Sequence, residues 1–139
     1  MTAMRFVDTN VLLYAVSTLP DEADKAAKAQ AILTDRDLAL SVQVLQEFYV
    51  QATRKSRPEP LTHGEALGFI QSWRRFFTHD VTLEILDDAL TIKARYQLSY
   101  WDSAIIAAAR ASSCSEVLSE DMSDGQVYAG VKVVNPFKP

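Results

Sequence analysis

The chain has 139 residues, 48% of them hydrophobic and 23% charged, which suits one domain, residues 1–139, with a real core and an ordinary soluble balance. Its net charge of −4 disfavours a protein that merely wraps nucleic acid, because phosphate neutralisation needs excess cations; a nuclease whose carboxylates are offset by divalent cations is not excluded. A lone cysteine, Cys114, excludes a disulfide framework and a thiolate metal site, and the two histidines lack the helical spacing of a zinc pair. No signal-peptide pattern or membrane-length apolar run is visible, so a reducing cytoplasm is the expected compartment.

Met4 to Val7 is an apolar run of strand length, and Asp8 stands where it ends. Thr9 and Asn10 then lead into a short helical pattern, Val11 to Val16. In open α/β sheets, catalytic groups collect outside the carboxyl ends of strands. Asp8-Thr9-Asn10 therefore reads equally well as the seat of a functional carboxylate or as a plain turn and helix cap. Asp21 is expected to cap a second helix, Glu22 to about Thr34, and Leu38-Ala39-Leu40 is a second short strand.

Ser41 can cap a third helix, Val42 to about Arg54. Val44, Leu45, Phe48, Tyr49 and Ala52 make its apolar face, and Gln43, Glu47, Gln51 and Arg54 a polar stripe. Glu47 is the single carboxylate of this helix; alone, a solvated surface glutamate explains it most simply. Thr62 and Glu65 have capping-box spacing and begin a fourth helix to about Phe77, rich in aromatics. Arg54, Lys55 and Arg57 lie in the loop before it, and Arg74 and Arg75 near its end. Solvated surface is the simpler account of these five basic residues, and contact with RNA is the functional one.

A short strand is expected at Thr78 to Val81, followed by a fifth helix capped by Thr82 with Ile85, Leu86, Ala89, Leu90 and Ile92 inward. Ser99 opens a sixth helix and places Asp102 at its third position, where free amides and the helix dipole favour a carboxylate. Glu116 to Ser119 is a further strand followed at once by Glu120 and Asp121, and Val131 to Val134 is the last.

Strands alternating with helices predict a mainly parallel sheet covered on both faces. Asp8, Glu47, Asp102 and Asp121 then occupy comparable places at one edge of that sheet. Clustered carboxylates repel unless a cation neutralises them, and oxygen-only donors select Mg²⁺ or Mn²⁺. Such an ion can activate a water and stabilise charge on a scissile phosphate.

Phe6-Val7-Asp8-Thr9-Asn10-Val11-Leu12, Gln46-Glu47-Phe48, the run from Tyr100-Trp101-Asp102 to Ala109, Leu118-Ser119-Glu120-Asp121-Met122 with Gly125, and Val133 to Phe137 occur in this order. Together they resemble a PIN domain, in particular the VapC-type ribonuclease toxins of prokaryotic toxin–antitoxin pairs. The resemblance implies a three-layer α/β/α fold with a parallel sheet of about five strands. It also implies an acidic quartet of Asp8, Glu47, Asp102 and Asp121 around Mg²⁺ or Mn²⁺, supported through hydrogen bonds by Asn10 and Ser119. Asp121 takes the fourth acidic place, with Asp124 rather than Glu120 as its helper. RNA is the implied substrate, a VapB-like antitoxin the implied partner, and a homodimer the implied assembly, to be sought on the aromatic fourth helix. The expected activity is an endoribonuclease that restrains translation and growth. A PIN nuclease acting outside a toxin pair and a catalytically silent scaffold are the alternatives, as is a phosphotransferase with Asp8 as nucleophile. Asn10, where such phosphotransferases carry a second Asp, weighs against the last.

Overall fold

The structure, a computed structural model, describes residues 4–139. Its elements run β1 (Met4–Val7), α1 (Thr9–Ala15), a single 3-10 turn (Pro20–Glu22), α2 (Ala23–Ile32), β2 (Leu38–Ser41), α3 (Val42–Ala52), α4 (His63–Trp73), β3 (Phe77–His79), α5 (Leu83–Tyr96), α6 (Tyr100–Ala111), β4 (Cys114–Leu118), β5 (Val127–Tyr128) and β6 (Val131–Val134). The strands form one sheet in the order β3-β2-β1-β4-β6-β5. Every pairing is parallel except β5 with β6.

That order reverses direction at β1. The chain moves outward from β1 to β2 and β3 on one side, then returns to place β4 on the other. In such sheets the crevice beyond the carboxyl ends of the two central strands is where ligands sit. Here it lies between the ends of β1 and β4.

All four residues of β2 are buried, as expected of a parallel strand with both faces covered. Helix α6 lies against β2, β4 and β6 with α5 packed on it, and its residues Ser103 to Ala109 are all buried. Helix α1 packs on α2 and α3. Phe48 of α3 is fully buried, and its ring meets Trp73 of α4 edge-on with centroids 4.7 Å apart.

Several helix starts follow their sequence signals. The hydroxyls of Ser41, Thr62, Thr82 and Ser99 each accept the backbone N–H three residues on, and Glu65 closes the capping box with Thr62. Elsewhere the structure differs. Asp21 makes no cap for α2, which follows directly on the 3-10 turn. Helix α4 stops at Trp73, short of Phe77, and β3 begins at Phe77. Arg75 ties off this end by donating to the carbonyls of Ser72 and Leu33. Leu86 and Leu90, expected inside, are exposed, because Ile85, Ala89 and Ile92 already cover the face of α5 that meets the core.

Strand β5 has no counterpart in the sequence pattern. It pairs with β6 through the two-residue turn Ala129-Gly130, both at positive φ, the backbone of a tight hairpin. No described helix is long and apolar enough to cross a membrane.

Because Phe48 joins α3 to α4 at full burial, Phe48→Ala should cost about 3–5 kcal/mol. Urea unfolding followed by circular dichroism checks this; a cost well under about 1 kcal/mol would contradict the packing described.

Candidate active site

Asp8 follows β1 directly, and its backbone N–H continues the ladder by donating to the Leu118 carbonyl of β4 at 3.1 Å. Its side chain is therefore held at the end of the central strand pair, and only 6% of the residue is exposed. One carboxylate oxygen accepts the Thr9 N–H at 2.7 Å. The other accepts the Ser119 hydroxyl at 2.8 Å. Asp8 is thus the N-cap of α1, which corrects the sequence expectation that Thr9 caps the helix once Asp8 is taken as a ligand. Capping leaves unused lone pairs on both oxygens, so it does not compete with binding a cation.

Thr9 turns the other way and donates its hydroxyl to Glu47 at 2.9 Å. Gln43, one turn earlier on α3, donates to the second Glu47 oxygen at 3.0 Å. Glu47 is consequently held in place rather than loose in solvent. Asn10 reaches three acceptors with its amide nitrogen: Asp8 at 3.4 Å, Ser119 at 3.2 Å and Asp121 at 3.2 Å. Its carbonyl oxygen accepts the Glu120 N–H at 3.1 Å, and the Asp121 N–H donates to Ser119 Oγ at 3.2 Å. Asn10 and Ser119 therefore lash the loop after β4 to the start of α1. Asp102 arrives from the first turn of α6, fixed by its backbone N–H to Ser99 Oγ at 3.1 Å.

Asp8, Glu47, Asp102 and Asp121 all line one cleft of about 300 Å³, together with Glu22, Arg57 and Trp101 among others. Ser119 lies beneath it, fully buried. The other residues of interest are placed differently. Asp124 accepts the Asn135 N–H at 2.7 Å and pairs with Lys138, outside the cleft lining. Glu120 turns away to Lys25 at 2.7 Å and to the Tyr14 hydroxyl at 2.8 Å. Of the five basic residues, Arg57 enters the cleft wall, and Arg54 lines an adjoining groove. Arg75 is taken up by Ser72 and Leu33, while Arg74 and Lys55 are exposed and line neither hollow.

Glu22 and Trp101 line the cleft without a signal in the sequence pattern. Glu22 stands in a 3-10 turn that looks like the start of a helix, and the Ser17 hydroxyl holds it at 2.6 Å. Trp101 shares helical spacing with the buried Ala104, Ile105 and Ala108, yet it is exposed on the cleft wall.

The electrostatics follow from the geometry. Burial pushes the Asp8 carboxyl from 3.8 up to about 6; the hydrogen bonds from Ser119 and Thr9 hold it lower than burial alone would, and the charges of Asp121 and Glu47 add to the rise. Burial also raises Asp102, against the lowering by Ser99 and with further raising by Asp121 and Glu47. Burial acts upward on Glu120 as well, but Lys25 and Tyr14 outweigh it and bring that carboxyl below its ordinary range. The cleft thus holds an excess of negative charge that its own hydrogen bonds do not offset.

The donor set is all oxygen, and no thiol or imidazole lines the cleft, which suits Mg²⁺ or Mn²⁺ rather than zinc. Among the described residues, no three His, Cys, Asp or Glu side chains stand where they could together hold a metal ion. Mg²⁺ commonly takes one or two carboxylates and keeps several waters, so an open arrangement of this kind fits it.

Since the folded-state value of Asp8 lies above its ordinary value, its ionisation costs stability as pH rises from about 4 to about 6 and beyond. The penalty is about two pH units, or about 3 kcal/mol, in ion-free protein. Asp8→Asn should therefore leave ion-free stability nearly unchanged at about pH 4 and raise it by about 2–3 kcal/mol at about pH 7.5. Paired urea titrations with chelator present check this; destabilisation at the higher pH would contradict it.

A family model described as the PIN domain matches residues 5–123. No curated protein matches the sequence significantly. Among solved structures, the chain is similar to a chain of a toxin–antitoxin complex from Klebsiella pneumoniae, at 19% identity and a TM-score of 0.72, covering 97% of this chain and 99% of that one. It is similar to VapC20 of Mycobacterium tuberculosis, a toxin that cleaves the sarcin–ricin loop, at 17% identity and a TM-score of 0.67, covering 92% and 98%. A chain of FitAB bound to a DNA fragment gives 22% identity and a TM-score of 0.70, covering 98% and 97%. These likenesses speak to the fold, and the family match spans most of the chain. The protein belongs to the PIN-domain family.

Proposed function

We propose that this protein is a Mg²⁺- or Mn²⁺-dependent endoribonuclease, acting in the cytoplasm as the toxin of a VapBC-type toxin–antitoxin pair and restraining translation and growth. The observation that carries this reading is the meeting of Asp8, Glu47, Asp102 and Asp121, from four separate segments, in one cleft at the topological switch point. Family membership makes nuclease chemistry the natural use of such a cleft. The toxin role is supported by fold neighbours that are toxins or toxin–antitoxin complexes.

Asp8, with Asp102 or Asp121 as a second ligand, would hold a divalent ion, which when bound would supply a water of lowered pKa and neutralise charge at the phosphate. The chain does the rest. Thr9 N–H and Ser119 Oγ–H fix Asp8 so that no rotamer search precedes binding. Asn10 couples Asp121 to Asp8, so the two carboxylates keep their spacing. Glu47 is anchored by Thr9 and Gln43, and its position in the cleft wall suits it to orient a water and take up a proton. Arg57 is the single basic residue of the cleft lining and makes no ion pair among the described residues. Its guanidinium is suited to pair with a phosphate entering the cleft.

A homodimer is part of this proposal. Helix α4 exposes Leu67 and Phe69, and α5 exposes the stripe Leu83, Leu86 and Leu90, so these two helices are the candidates for self-association.

Purified protein should cleave RNA with Mn²⁺ or Mg²⁺ and lose the activity to chelator. Asp8→Asn, Asp102→Asn and Glu47→Gln should each lower the cleavage rate by about a hundredfold or more while the fold persists. Gel assays of labelled RNA beside melting curves test this; undiminished cleavage by Asp8→Asn would overturn the assignment.

A further inference from the structure

Trp101 is the second residue of α6 and the chain neighbour of Asp102, yet 63% of it is exposed. An indole left in water beside a catalytic cleft forgoes the burial that its size ordinarily secures. It is not a loose side chain. Its ring meets that of Tyr100 edge-on with centroids 5.0 Å apart, and its carbonyl oxygen accepts the Gln43 amide at 3.5 Å.

Of the hollows that this residue walls, two adjoin along α3. One is the acidic cleft; the other, of about 390 Å³, shares Glu47, Gln51 and Trp101 with it and adds Gln43, Val50 and Arg54 among others. Together the two hollows are lined by carboxylates, amides, an indole, aliphatic side chains and the guanidiniums of Arg57 and Arg54. An aromatic platform followed by a cation is the arrangement that takes a base and then the next phosphate of a single strand.

We propose that an unpaired nucleobase of the substrate stacks on Trp101, one nucleotide from the phosphate seated over the carboxylates, with the backbone running on toward Arg54. The inference rests on the nuclease reading above and makes it narrower. A base inside a duplex has its faces covered by its neighbours, so the platform selects single-stranded or splayed-out segments. Stacking is tolerant of base identity, so Trp101 sets strandedness rather than sequence. It is a positioning residue, because it holds the strand and touches no reacting atom.

The test uses the Asp8→Asn protein, to prevent cleavage, with a short oligouridylate and the same oligomer carrying abasic riboses. The intact oligomer should quench tryptophan emission, with the buried Trp73 as an unresponsive background. Trp101→Phe should abolish the quench while keeping affinity within about threefold, and Trp101→Ala should weaken binding by about tenfold. The abasic oligomer should bind all three proteins alike. With Asp8 restored, Trp101→Ala should raise KM by about tenfold and leave kcat within about twofold. Absence of quenching, or equal affinity for the intact oligomer with and without Trp101→Ala, overturns the proposal. So does a change in oligomeric state on Trp101→Ala with oligomer affinity untouched, which would make the surface a protein interface. Failure of the nuclease reading shows separately, as no cleavage by the unaltered protein with any divalent ion, and the binding comparison still decides the role of Trp101.

Discussion

The structure turns on a carboxylate held in the interior at the end of its central strand. Asp8 is 6% exposed and receives the Thr9 N–H and the Ser119 hydroxyl, yet no described cation of the chain pairs with it. Burying a charge is expensive unless it is compensated, and hydrogen bonds alone leave Asp8 raised to about 6. Much of the surrounding chain follows from accommodating that group. Strand β4 must pair with β1 so that Ser119 lies beneath it, and α1 must begin at once so that its first amide can serve. Asn10 must bridge to the loop after β4. The remaining charge imbalance is what a divalent ion would relieve.

Other acidic residues near the cleft show how this imbalance is confined. Glu120 is drawn off by Lys25 and Tyr14, and Asp124 is spent on the Asn135 amide and Lys138. Neither carboxylate therefore shares the immediate surroundings of Asp121, where Asn10 and Ser119 hold the loop instead. The cleft keeps carboxylates that are fixed by neutral donors and loses those that have found a cation. That division leaves the cleft with carboxylates that no described cation of the chain pairs with.

The parts of this arrangement that are legible in the sequence are those governed by local rules. A carboxylate straight after the buried pair Phe6-Val7, as at Asp8, marks a strand terminus because a strand covered on both faces leaves little room for a charge. Ser41, Thr62, Thr82 and Ser99 mark helix starts because a hydroxyl satisfies an orphan amide. What stays hidden depends on distant packing. Trp101, Leu86 and Leu90 carry core-like spacing, yet the face of α5 that packs on α6 is already filled by Ile85, Ala89 and Ile92, and Trp101 is left exposed on the cleft wall. The β5–β6 hairpin turns on Ala129-Gly130, a weaker signal than Asn-Gly, and Glu22 faces the cleft through a 3-10 turn that sequence pattern does not distinguish from a helix start. Asp8 as cap and Asp8 as ligand are alternatives in one dimension; in three they are the same placement.

The central claim is that the Asp8 carboxylate is held ready for a divalent cation. Anomalous diffraction from crystals grown with Mn²⁺ tests it most directly. The account predicts a peak within coordination distance of the Asp8 carboxylate and facing Asp102 and Asp121, with Thr9 and Ser119 still bonded to Asp8. A cleft without a peak at saturating Mn²⁺, or an ion bound elsewhere while Asp8 keeps its present contacts, would contradict it.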